Sequence, residues 1–98
     1  MKTTNTYIRL LREFKQARAS EYGITRMGIF GSVARSEQTK ESDVDIYFET
    51  DKKLSLFRMG GLMYDLKELL DAPVDLVHDT ERLPTMFKQR IEKDIIYV

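Results

Sequence analysis

Asp43 and Asp45, separated only by Val44, are the residues of this chain best suited to chemistry. Residues i and i+2 of a strand project to one face, which sets the two carboxylates side by side. Two anions that close repel, and each raises the other's pKa unless a cation lies between them. All-oxygen ligation from few protein groups suits Mg²⁺, which keeps its other positions for water and substrate phosphates. Asp75 stands alone among Pro73, Val74, Leu76 and Val77, where a buried, unpaired charge would be costly. A metal site on a neighbouring strand would satisfy it. Gly31-Ser32 supplies the complementary half: glycine lets a phosphate approach the backbone, while the Ser32 hydroxyl and the N–H groups opening a short helix donate to it. Arg35, one turn on, either reaches the same cleft or pairs with a nearby carboxylate.

These side chains need strands that end and begin together. Tyr7, Ile8, Leu10, Leu11, Phe14 and Ala17 recur at helical spacing over residues 4–20, with Gly23 as terminator. Residues 24–30 read as a strand stopping at Gly31-Ser32, and residues 32–35 as the first turn of a short helix with Ser32 near its cap. Residues 36–42 hold no apolar member and read as a surface loop. In the strand of residues 43–49, Val44, Ile46 and Phe48 point one way and Asp43, Asp45, Tyr47 and Glu49 the other. Residues 54–70 carry a helical pattern ending near Asp71, followed by a third strand, residues 73–77. Gly60-Gly61 inside that helix costs about 1 kcal/mol per glycine against alanine, and close packing of the helix on the sheet is the expected reason. Pro84 opens a last helix, and residues 95–98 form a β-like tail.

The whole is expected to be one small α+β domain, residues 1–98, with a mixed β-sheet flanked by helices. Cysteine is absent, which excludes a disulfide framework, a thiolate zinc site and a cysteine nucleophile. Neither a membrane span of about 18 to 20 apolar residues nor a secretory h-region is visible, so a cytoplasmic location is expected. Sixteen basic and sixteen acidic residues cancel, yet residues 1–40 carry +5 and residues 41–79 carry −6. With no net positive charge, direct nucleic-acid binding is not expected.

Taken with their spacing, these motifs resemble a known family. Gly31-Ser32, ten intervening residues, Asp43-x-Asp45 and a third strand bearing Asp75 are similar to the signature of the DNA polymerase beta-like nucleotidyltransferase superfamily. The chain most resembles its minimal, MNT-type members, the antitoxins of HEPN/MNT toxin–antitoxin pairs. GSVAR is similar to the family's GSxAR segment, SDVDI to its SDxDL/I segment and PVDLV to its third-carboxylate strand; only Ser36 departs, where the family usually has glycine. If the backbone there needs positive φ, Ser36 is mildly strained.

The resemblance implies a nucleotidyltransferase fold and Mg²⁺-dependent transfer of AMP from ATP. Asp43, Asp45 and Asp75 would be the metal ligands and catalytic residues, and Gly31, Ser32 and Arg35 the nucleotide-binding ones. One ion would activate the acceptor and the other stabilise pyrophosphate, with Asp75 on the acceptor side. The implied acceptor is a tyrosine hydroxyl of a cognate HEPN ribonuclease toxin, silenced in a hetero-oligomer with this chain. Larger relatives carry a further helical domain, and without one weak nucleotide binding and a site completed by the partner are expected. A different class of reading stays open: a nucleotide- or metal-binding module that inhibits the toxin by docking and catalyses nothing. A haloacid-dehalogenase-type phosphatase is set aside, because there the apolar strand precedes the first aspartate, whereas here Ile46, Tyr47 and Phe48 follow it.

Overall fold

The computed structural model describes residues 2–98. Along the chain run α1 (Thr4–Tyr22), β1 (Ile24–Phe30), α2 (Gly31–Ala34), β2 (Val44–Thr50), α3 (Leu56–Leu70), β3 (Val74–His78), α4 (Thr85–Asp94) and β4 (Ile96–Tyr97). The strands form one sheet in the order β3-β2-β1-β4. β1 is antiparallel to both β2 and β4, while β2 and β3 run parallel. A parallel pair needs a long crossover, and α3 provides it. The expected mixed sheet flanked by helices is therefore present.

Local chemistry sets most boundaries. Thr3 caps α1, its hydroxyl accepting from the Thr6 N–H, and Gly23 closes it in the left-handed conformation. Ser55 caps α3, accepting from the Arg58 N–H at 3.1 Å, so that helix starts two residues later than its apolar pattern suggested. Pro84 sits at the N-cap of α4 rather than inside its first turn. The two-residue β4 then pairs with the middle of β1.

The main core lies on one face of the sheet. Met27, Ile29, Val44, Ile46 and Phe48 pack there against Leu11 and Phe14 of α1 and Leu62, Leu66 and Leu70 of α3. The other face carries the odd residues of β2 and is covered by α4, with Tyr47 and Ile91 both buried. Tyr47 shares the face of Asp45, as its spacing required, and it is buried. Its hydroxyl bridges Glu49, at 2.8 Å, and Asp79, which in turn takes an ion pair from Lys88 of α4 at 2.8 Å. This network ties α4 across the sheet.

Two expectations are corrected. The glycine pair of α3 does not serve packing on the sheet: a Cβ at Gly60 would meet nothing within 4 Å, and one at Gly61 only the Tyr22 hydroxyl at 3.6 Å. Asp75 is exposed rather than buried, because β3 is an edge strand and its odd face is uncovered at that end. No helix among the described residues is long and apolar enough to cross a membrane.

Candidate active site

Strand register builds the site. Asp45 is paired with Phe30, the last residue of β1, on one side and with Asp75 on the other. The end of β1, the start of β2 and the start of β3 therefore meet at one end of the sheet. Alternation turns Asp45 away from the Val44 and Ile46 core, and Asp43, two residues earlier, follows it. The structure thus brings together Asp43, Asp45, Asp75 and the Gly31-Ser32 corner.

Gly31 turns the chain out of β1 with φ at 74°, a left-handed conformation that disfavours any side chain. A Cβ there would overlap the Asp45 carboxylate. The bare backbone therefore lies directly against the carboxylate, and α2 starts from it. The cap position of α2 is Phe30, which places Ser32 inside the first turn rather than at its cap. Among the described residues the Ser32 hydroxyl makes no hydrogen bond.

Charge is concentrated at this corner. Asp43 and Asp75 are exposed and Asp45 is half-buried. Burial, then the negative charges of Asp75 and Asp43, push the Asp45 carboxyl up to about 6, with Arg35 pulling the other way. Of the two courses open to Arg35, the structure has the ion pair: its Nη1 meets Asp94 at 2.5 Å and its Nε meets Glu37 at 3.4 Å. Asp94 is a site neighbour that the motifs do not reveal. It ends α4, where the helix dipole favours cations, and that misfit is the one signal it leaves in the sequence. His78 stands apart, stacked on Phe48 with ring centroids 4.6 Å apart and its Nε2 2.8 Å from the Thr50 hydroxyl.

Among the described residues, no three histidine or carboxylate side chains are already drawn together as metal ligands. The donor set nevertheless fits a hard divalent cation: three carboxylates converge on one end of the sheet, and burial, then the charge of the other two, pushes the innermost one up.

Comparison with known proteins identifies the family and the fold. A family model described as "nucleotidyltransferase domain" matches residues 11–98. A Methanocaldococcus jannaschii protein described as a protein adenylyltransferase is 36% identical over 98 residues, spanning all of both chains. A solved structure described as a minimal nucleotidyltransferase superposes with a TM-score of 0.80 at 27% identity, covering 97% of this chain and 95% of the other. A chain from the complex of a tri-AMPylated Shewanella oneidensis HEPN toxin with its MNT antitoxin superposes with a TM-score of 0.60 at 23% identity. That match covers 96% of this chain and 66% of the other, and it is a likeness of fold.

Proposed function

The chain belongs to the nucleotidyltransferase domain family as a minimal, MNT-type member, and from that premise we propose that it transfers AMP from ATP to a hydroxyl of a protein. The acceptor is a tyrosine of a cognate HEPN ribonuclease toxin, with which the chain forms a hetero-oligomer in the cytoplasm as its antitoxin. The observation that carries this reading is the register pairing of Asp45 with Asp75 beside the bare corner at Gly31. It joins a place for anionic phosphates to a place for a cation on one patch of surface.

Asp43, Asp45 and Asp75 would hold Mg²⁺, which when bound neutralises charge on the triphosphate and lowers the pKa of the acceptor hydroxyl. Gly31 lets the outer phosphates approach the backbone, and the free hydroxyl of Ser32 donates to them. Arg35 leaves Asp94 for the triphosphate as negative charge arrives. Asp75, exposed on the edge strand, faces the acceptor and takes its proton. The hydroxyl oxygen bonds to the α-phosphorus as the bond to the β-phosphate bridge breaks. AMP is then esterified to the protein and pyrophosphate leaves.

The test is incubation with the cognate toxin, Mg²⁺ and ATP labelled at the α- or the γ-phosphate, beside the Asp43→Asn/Asp45→Asn variant. Label from the α-position alone, lost in the variant and on omission of Mg²⁺, is expected. Label from the γ-position would mean phosphoryl transfer. Toxin inhibition with no label at all would mean a docking module without catalysis.

A further inference from the structure

The outward face of α3 has no partner in the fold. Phe57 is 87% exposed and Tyr64 is 64% exposed, and one turn separates each from the Gly60-Gly61 pair between them. At 100° per residue these four fall on one stripe of the helix, opposite Leu62, Leu66 and Leu70, which pack in the core. Glycine at Gly60 is not required by anything inside the domain, since a Cβ there points into open space. The backbone is nonetheless bare at the centre of the stripe.

The stripe is self-complementary. A twofold axis passing between Gly60 and Gly61 sets Phe57 of one copy against Tyr64 of the other and Gly60 against Gly61, and brings Lys53, which precedes the helix, towards Glu68 of the other copy. Lys53 and Glu68 are both exposed, and neither takes part in an ion pair among the described residues. An isologous interface needs this kind of matching of a patch to itself. Antiparallel pairing also sets each helix N-terminus against the other's C-terminus.

We propose that α3 pairs antiparallel with α3 of a second copy of this chain, the backbones meeting at Gly60 and Gly61, Phe57 packing on Tyr64 and Lys53 pairing with Glu68. One helix pair buries less than the roughly 800 Å² per partner of a standard interface, so the dimer is weak and concentration-dependent. α3 lies on the Val44, Ile46 and Phe48 face of the sheet, while Asp45 faces the other way. Pairing therefore leaves the candidate active site open to a different partner.

Sedimentation of the full chain over a wide concentration range tests this. The expected result is a reversible monomer–dimer equilibrium that Gly60→Gln weakens at least tenfold. The glutamine side chain enters open space in the monomer, so the circular dichroism spectrum is unchanged. Gly60→Ala, compared where the chain is monomeric, raises Tm by about 4 to 8 °C, as a glycine without an internal role should. Lys53→Glu and Glu68→Lys should each weaken self-association. An equimolar mixture of the two regains it as a heterodimer, because both end pairs then carry opposite charges. A chain monomeric into the millimolar range, or a folded Gly60→Gln variant that dimerises normally, would overturn the proposal. So would a monomer in which these substitutions weaken only toxin binding, which would give the face to that partner instead.

Discussion

Gly31 and Asp45 are packed so closely that the carboxylate oxygen of Asp45 occupies the space a Cβ on Gly31 would need. The contact follows from register: Asp45 is paired with Phe30, and the next residue must turn away across its carboxylate with φ at 74°. Gly31→Ala therefore adds a left-handed backbone cost of about 1 to 2 kcal/mol to a steric one. Tm should fall by about 5 to 15 °C, and AMP transfer should fall at least 100-fold because the carboxylate is displaced. Thermal unfolding and the α-label assay read the two effects separately, and an active Gly31→Ala variant would remove the corner from the site.

The raised pKa of Asp45 predicts a stability penalty with a definite sign. Its folded-state value of about 6 lies above the ordinary aspartate value of 3.8, so between these pH values the folded chain binds the proton more tightly than the unfolded one. Stability from this group is present below pH 3.8 and is lost as pH rises through 6. Asp45→Asn should therefore be more stable than the parent by about 1 to 2 kcal/mol at pH 7.5, allowing for solvent screening, and the gap should close by pH 4. The comparison also cancels His78, whose pKa is lowered by burial and which acts in the opposite direction in an overlapping range. Mg²⁺ at pH 7.5 should raise the parent's Tm and leave the variant's nearly unmoved. Equal response of the two to Mg²⁺ would remove Asp45 from the cation site.

Ser36 has φ at 58°, so the position where the family usually has glycine is one that glycine suits. The serine has a compensating contact. The Thr4 hydroxyl donates to the Val33 carbonyl at 2.5 Å, which leaves its oxygen to accept from the Ser36 hydroxyl at 3.1 Å. Relief of strain and loss of this bond each amount to about 1 kcal/mol and oppose one another, so Ser36→Gly alone should change stability little. In a Thr4→Val background only the strain remains, and Ser36→Gly should raise Tm by about 4 to 8 °C. Equal effects in both backgrounds, measured by a double-mutant cycle, would deny the coupling.

The parts of the site legible in the sequence are those fixed by short-range spacing. Asp43 and Asp45 share a face because they are two apart in a strand, and Gly31 ends the strand before them. Asp75 could be placed on a third strand, but not its exposure, which depends on β3 lying at the sheet edge with its odd face uncovered. Apolar neighbours in sequence say nothing about sheet order. Tyr47 is the converse case: alternation alone places it on the Asp45 face, while its burial depends on α4 crossing the far face. Gly60-Gly61 reads as internal packing because a glycine's cost is visible in sequence, whereas the direction its Cα hydrogens face is set by the whole helix. Asp94 lies 51 residues from Asp43 and reaches the site only through the tertiary placement of α4.

Arg35 and Asp94 define a competition that kinetics can resolve. The guanidinium is already held by one carboxylate at 2.5 Å and another at 3.4 Å, and to reach a triphosphate it must leave them. The pair is partly exposed, so its loss should change stability little. Asp94→Asn removes the stronger competitor and one negative charge near the phosphates. KM for ATP should fall about 3- to 10-fold with kcat nearly unchanged, the pattern of a change in substrate binding rather than in the chemical step. Arg35→Ala should act in the opposite direction and raise KM, and in the double variant the gain from Asp94→Asn should vanish because there is no arginine left to release. If Asp94→Asn instead raised KM as Arg35→Ala does, the carboxylate would be positioning Arg35 for the nucleotide rather than withholding it.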